Sequence, residues 1–518
     1  MTHAKPPKLV LTVIDGLKPA MLERAVAQGR APILKAIMER GAYVDDCVAA
    51  FPSVTPVCAA SIATGTGPDR HHIPSMNWYD RAEQRYVEYG SSFGASRRAG
   101  VLRSLTDTVY NMNGKHLAPD VPTVFERLDD AGLRTAGTTY LIYRGRHRHQ
   151  LASDTALARI AGAVFRDSVM GPRELFYADL FASRRTGCRG QLGMPGQRDQ
   201  HSGCVGAHLV EHDLFDFLLF SLPDNDAFSH RNGPHAQVTS IAAADRQLER
   251  LVHAGGGLER FLEQHAMIVL ADHSHAAVER RILLVDAFED WEIAQPRPNG
   301  SRAPRGRAAR DAAAAADDAE AALDAGAQLA LGLAQRSAML YVLDAERRER
   351  LVTRAAREAA AIPGVDLVMR RPAPREGSIA GERGELRFAP GGDLVDLRGR
   401  RWSVDGELAT LGGRVEDGRL LTPDYPDALG RVWSALTCPT AGDVLLSAAP
   451  GFEFADWGGA DHVGGGSHGS LHKSDSLGAL LWCGVGRVGG LVSRDDREQW
   501  TLQDMLPMVA GHFGLDDG

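Results

Sequence analysis

The sequence lacks the marks of several large protein classes. None of its six cysteines, Cys47, Cys58, Cys188, Cys204, Cys438 and Cys483, forms a Cys-x-x-Cys pair. That argues against a cysteine-built zinc module and against a dithiol redox motif. At 518 residues the chain is also far too long for a small disulfide scaffold. No apolar run approaches the roughly 20 residues of a membrane-spanning helix. Met1–Lys8 is polar and leads straight into an apolar strand pattern without a signal-peptide h-region, so a cytoplasmic protein is expected. There is no basic excess: 58 Lys and Arg stand against 66 Asp and Glu, a net charge of −8. A partner of the nucleic-acid-duplex type, held by a general basic surface, is therefore not expected.

What is present is an ordinary globular composition, 44% apolar and 24% charged, in a chain long enough for about three domains or one large core with insertions. Leu9–Ile14, Thr135–Ile142, Phe215–Leu222 and Met267–Ala271 read as buried strands. Met21–Arg40, the segment after Thr55, Val121–Ala131, Val205–Asp213 and Ile241–Gln264 read as helices. This alternation predicts an α/β fold, a doubly wound and mostly parallel sheet. Gln295–Arg310 reads as a linker and Ala312–Ala334 as Ala-rich low complexity. A fresh strand–helix–strand unit starts at Met339. The expected organisation is a core over 1–295, a low-complexity linker over 296–335, an inserted smaller α+β subdomain over 336–437, and the second part of the core over 438–518.

Three predicted strands end in acidic residues: Asp15, then Asp224 and Asp226, then Asp272 with His273. In open parallel sheets the carboxyl ends of the strands share one edge, and sites form there. Carboxylates gathered at such an edge repel one another, so a cation is their natural partner. Mixed aspartate and imidazole favours zinc, with manganese or iron as alternatives. Asp226 and His230, four apart, share one helix face within reach of one ion. Each feature also has a plain structural reading, as a helix cap or a turn residue. Thr55-Pro56 is a common helix start, and the same placement suits a nucleophile, because a helix N-terminus favours a developing anion. His468 lies among glycines, with His462 and His472 as competitors. His275 likewise competes with His273.

Taken in order, Val13-Ile14-Asp15-Gly16, Phe51-Pro52-Ser53-Val54-Thr55, Asp226–Pro234, Ala271-Asp272-His273 and Gly466-Ser467-His468-Gly469 make the chain resemble a known family. It is the type I phosphodiesterase/nucleotide pyrophosphatase branch of the alkaline phosphatase superfamily. The resemblance implies an alkaline-phosphatase-like core and two zinc ions. Asp226, His230 and His468 would hold one ion, and Asp15, Thr55, Asp272 and His273 the other. It further implies Thr55 as the nucleophile of a covalent phospho-threonine pathway, acting on a small phosphate ester or nucleotide. The chain departs from the family at Cys58 and at Met76, where the family carries Asn. Asn77, next door, is the expected substitute for substrate binding. Arg144, in the basic run Arg144 to His149, is a second substrate-binding candidate.

Two rival readings remain. One is a phosphomonoesterase or phosphonate hydrolase of the same superfamily, which would need extra positive charge for further anionic oxygens. The remote one is a zinc metalloprotease built on His208, Glu211 and His212, which fit His-x-x-Glu-His.

Overall fold

A computed structural model describes residues 6–151, 168–178, 180–190, 196–297, 326–487 and 490–515. Its central sheet has eight strands: β1 (Lys8–Ile14), β2 (Ala42–Val48), β3 (Thr135–Thr138), β4 (Glu174–Tyr177), β5 (Phe181–Ala182), β6 (Phe217–Leu222), β7 (His265–Leu270) and β8 (Leu477–Cys483). Their spatial order is β2-β8-β7-β1-β6-β3-β4-β5. The inner run β7-β1-β6-β3-β4 is parallel. β8 runs antiparallel between β7 and β2, and β5 antiparallel to β4. β1, β6 and β7 are apolar and buried almost throughout, as strands covered on both faces must be.

Two separate apolar cores account for that burial. On one face Met21, Leu22, Ile33, Leu34, Val205, Leu209, Ile241 and Leu248 pack on the sheet from four helices. On the other, residues of Thr55–Thr64, Val124–Asp130 and Met505–His512 do the same. The doubly wound, mostly parallel α/β expectation is borne out. Local differences have local causes. The helix expected over Met21–Arg40 is two, Pro19–Ala27 and Pro32–Arg40, parted at Gly29 with φ +67°. The strand expected over Thr135–Ile142 stops at Thr138, because Thr139 turns the chain at φ +46°.

A second, nine-stranded and largely antiparallel sheet stands beside the first. It opens with the apolar strand Leu329–Ala334, the end of the Ala-rich segment; residues 298–325 lie outside the described residues. The strand after Asp443, Val444–Ala448, is seated in this sheet between Ser337–Val342 and Val365–Ala373, and the chain re-enters the central sheet at β8. Among the described residues no helix is long and apolar enough to cross a membrane.

Two buried arginines join the second sheet to the first. Arg336 donates from Nη1 to Asp475 Oδ1 at 2.7 Å, from Nε to Phe452 O and from Nη2 to Ala449 O. Arg431 reaches Ser476 Oγ at 2.7 Å and the carbonyls of Ala50 and Leu471. Asp475 in turn accepts from the amide and hydroxyl of Ser470. Both arginines therefore grip the loop that carries His468. Arg336→Ala leaves Asp475 buried and unpaired, which costs about 3–5 kcal/mol. We expect a clear fall in Tm, largely recovered in the double variant Arg336→Met with Asp475→Leu. A single variant as stable as the parent would show that the pair holds nothing together.

Candidate active site

Three strands of the parallel centre, β1, β6 and β7, each lead into a carboxylate where their pairing ends. β1 runs into Asp15 and Gly16, whose φ of +66° makes the turn. The Gly16 amide donates to Asp272 Oδ1 at 3.1 Å, beyond the end of β7. The Asp15 carbonyl accepts from Asn225 Nδ2 at 2.7 Å and that of Gly16 from Gln237 Nε2 at 2.8 Å. β6 passes into the helix Asp224–Asn232, which sets Asp226 and His230 one turn apart, with His230 Nε2 3.2 Å from Asp226 Oδ1.

Two groups result, in each of which the donor atoms lie within 4.8 Å of one another: Asp226, His230, His275 and His468, and Asp15, Asp272 and His273. His275 and His468 approach Asp226 Oδ1 at 2.9 and 3.4 Å. His273 Nε2 lies 3.4 Å from Asp15 Oδ1 and 3.5 Å from Asp272 Oδ2. The rings of His273 and His468 stack at 3.5 Å, so the groups adjoin. Thr55 is the first residue of the helix Thr55–Thr64, with Val54 as its cap and Pro56 second. Its Oγ1 stands 3.3 Å from His273 Nε2.

This donor set fits metal ions. Asp15 Oδ1 is buried without a hydrogen-bond partner. His230, His468 and His273 turn Nδ1 to the carbonyls of Gly466, Ser53 and Ser274 at 2.8, 2.8 and 3.1 Å. An imidazole so held keeps its proton on Nδ1 and offers Nε2 to an ion. Electrostatics agree. Burial pushes Asp15 well above the usual carboxylate range, and Asp272 and Asp226 add repulsion. Burial also raises Asp272 to about 6. Burial would raise Asp226 too, but His230, His275 and His468 hold it well below its ordinary value. Burial lowers His273 and His468 to about 4, which keeps them neutral and able to bind a cation.

The site opens into a cavity of about 320 Å³ lined by Asp15, Thr55, Asp226 and Asp272. Its walls include Met76, Tyr89, Tyr140 and Tyr177, and its one lining guanidinium or ammonium among the described residues is Arg198. Arg198 binds Asp224 through Nε at 3.0 Å. Asp224 also caps the amide of Asp199, so it serves the helix start rather than either group. A larger cavity of about 570 Å³ lies behind the helix Asp224–Asn232 but touches neither His-Asp group, and chemistry places the site in the smaller one.

Seven expected residues, Asp15, Thr55, Asp226, His230, Asp272, His273 and His468, are thus brought together. His462 pairs with Glu453 and His472 caps Lys473–Ser476, which leaves His468 as the inward histidine. Asn77 and Arg144 are not brought there. Asn77 donates to Val87 O and Glu88 and accepts from the amide of Leu333; Met76 faces the cavity instead. Arg144 is spent on Glu126 and the carbonyls of Leu117, Ala118 and Val121. Trp78 and Tyr79 are buried in packing. His208 and His212 touch at the exposed end of their helix, Glu211 faces solvent, and none of the three joins a possible ion site among the described residues.

The sequence reading missed four features. Arg198 gave no signal beyond its position at a helix start. His275 reads in sequence only as a competitor of His273, with no sign of its place beside Asp226. Ser53 joins the Thr55 and His468 segments through four hydrogen bonds: its amide to Gly469 O, its hydroxyl to Ser470 O and from the Gly469 amide, and its carbonyl from His468 Nδ1. Cys188 and Cys204 form a disulfide.

An acid-dependent cost follows. Asp272 takes up protons to about pH 6 instead of its ordinary 3.8. The metal-free native state then binds more protons than the unfolded chain across that window, so its stability falls as pH rises from about 4 to 6. A cation must displace those protons. We expect chelation to lower Tm, and the gap between metal-loaded and metal-free protein to widen between about pH 5 and 7. A gap independent of pH would contradict this.

Comparison with known proteins gives the site a family. The sequence model of the type I phosphodiesterase/nucleotide pyrophosphatase family matches residues 9–356. A search of curated protein sequences finds no match. Among solved structures, phosphonoacetate hydrolase from Sinorhizobium meliloti 1021 in complex with phosphonoformate is similar at a TM-score of 0.52 and 17% identity, over 98% of this chain and 96% of that one. Human ectonucleotide pyrophosphatase/phosphodiesterase 5 is similar at 0.55 and 11%, over 98% and 95%. An inactive murine form of the latter, in complex with AMP, gives 0.55 and 10%, over 98% and 96%. At such identities these likenesses speak for the fold, whereas the sequence match covers most of the chain. The chain belongs to the type I phosphodiesterase/nucleotide pyrophosphatase family, and so to the phosphoric ester hydrolases.

Proposed function

We propose that the chain cleaves phosphodiester or phosphoanhydride bonds in a small phosphate ester or nucleotide, with Thr55 as nucleophile beside two zinc ions. One observation carries this reading: Thr55 Oγ1, at a helix start, stands 3.3 Å from His273 at the wall of a cavity that both His-Asp groups border. Asp226, His230 and His468 would hold one ion; Asp15, Thr55, Asp272 and His273 would hold the other. Bound there, the ions supply positive charge for the phosphoryl oxygens and acidify the hydroxyl and the attacking water.

The chain's own residues do the rest. Thr55 Oγ gives up its proton and attacks phosphorus. The bond to the leaving alcohol or nucleotide breaks in line, and that group departs with a proton. Water then attacks the phospho-threonine, the Thr55 oxygen–phosphorus bond breaks, and the hydroxyl is restored. The N-terminus of the Thr55–Thr64 helix favours the anionic oxygens. The tyrosine-lined walls exclude water and pack against the leaving group.

Arg198 supports the second reading, a phosphonate hydrolase or phosphomonoesterase, because a guanidinium in the cavity suits a further anionic group. As for the compartment, the Cys188–Cys204 disulfide supports an oxidising one over the expected cytoplasm.

Two measurements test the proposal. Thr55→Ala should cut kcat by about 10³-fold or more on a phosphodiester; near-normal turnover would remove Thr55 as nucleophile. With the parent protein, rates on a phosphodiester and its matching monoester are compared, then repeated with Arg198→Ala. A dominant diester rate, little altered in the variant, supports the main reading. A dominant monoester rate that falls about tenfold in the variant, the effect of losing roughly 1.4 kcal/mol, moves the chain to the second.

A further inference from the structure

His275 is in neither ligand set used above, yet it belongs to the group of donor atoms around Asp226. It is fully buried. Its Nε2 is 2.9 Å from Asp226 Oδ1, nearer than His230 at 3.2 Å or His468 at 3.4 Å. The room for its ring is made by Gly16: a Cβ there would stand 2.6 Å from Cδ2 and 2.7 Å from Nε2 of the imidazole. The residue after Asp15 is thus fitted to His275 as well as to its own turn.

Distance alone allows two roles, a fourth donor to the ion or a hydrogen-bond donor to Asp226. The tautomer separates them. His230, His468 and His273 each turn Nδ1 to a backbone carbonyl, which leaves Nε2 bare. Nδ1 of His275 is buried and has no hydrogen-bond partner. A proton on that nitrogen would be an orphaned donor, whereas one on Nε2 meets the Asp226 carboxylate oxygen at 2.9 Å. The proton therefore belongs on Nε2, where Asp226 Oδ1 accepts it.

We propose that His275 is a positioning residue that donates Nε2–H to Asp226 Oδ1 and is not itself a ligand. The bond fixes the Asp226 carboxylate between His230 and His468, as an outer-shell partner orients a ligand. This rests on the reading of Asp226 as a metal ligand.

The test is metal binding by the full chain. Metal-free parent, His275→Ala and His275→Gln proteins are titrated with Zn²⁺ against a competing chelator and with Co²⁺ followed by visible absorption. Circular dichroism checks each fold. The parent should take up two ions. His275→Ala should weaken one of them about 10–100-fold. His275→Gln places an amide N–H where Nε2–H stood, and should recover most of that loss with the cobalt bands unmoved. If the Gln variant binds as weakly as the Ala variant and its cobalt bands shift, His275 is a ligand and the proposal falls. It falls too if neither variant alters binding. Should the Ala variant fail to fold, the Gln variant decides alone, by its affinity and its bands. A parent that takes up no ion would instead overturn the metal reading itself, and this inference with it.

Discussion

Three carboxylates meet at one buried edge of a parallel sheet, and much of the structure answers that constraint. Asp15, Asp226 and Asp272 cannot all stay ionised there without compensation, because burial and mutual repulsion both favour the neutral form. The fold meets Asp226 with three imidazoles, gives Asp272 two backbone amides, and leaves Asp15 and Asp272 to share one imidazole. The two halves of the site therefore differ in character. One is nitrogen-rich. The other is oxygen-rich and includes the hydroxyl of Thr55. A hydrolase that must neutralise an anionic substrate gains from carrying its negative charge where cations can cancel it.

The second sheet contributes less to the chemistry than to its aim. His468 rides on a glycine-rich segment directly after the short strand Gly466–Ser467. Arg336 and Arg431 hold that loop from one side, and Ser53 zips it to the Thr55 segment from the other. Thr55 and His468, 413 residues apart in sequence, are thereby held together through one serine. Polar groups this buried hold a geometry only when each is satisfied, and here the network is nearly complete.

Much of the site was legible because its signals were local. Asp15 and Asp272 close apolar runs, and Asp226 and His230 share a helical turn, so strand ends and a four-residue spacing were enough. Thr55 and His468 became visible only through family resemblance, since a capped helix and a glycine-flanked histidine are common in any chain. Asn77 and Arg144 misled for opposite reasons. Asn77 has the right type one residue off: Met76, just before the strand Asn77–Asp80, meets the cavity, while Asn77 turns to Glu88 and Leu333. The basic run containing Arg144 looked like a site because its acidic partner Glu126 and its carbonyl acceptors lie elsewhere in the sequence. The cavity's actual cation, Arg198, has no neighbour in sequence to announce it. The same holds for antiparallel β8, which arrives from the far end of the chain to sit between β7 and the edge strand β2.

The contact between His468 and Ser53 spans 415 residues. During translation the ribosome releases Asp15, Thr55, Asp226 and Asp272 long before His468, Asp475 and β8. The parallel centre can begin to pair, but the loop that completes the nitrogen-rich half has not yet been made. Contacts so remote in sequence form late and slowly. The nitrogen-rich half of the site is therefore a property of the finished chain, whereas every residue of the oxygen-rich half is already made by residue 273.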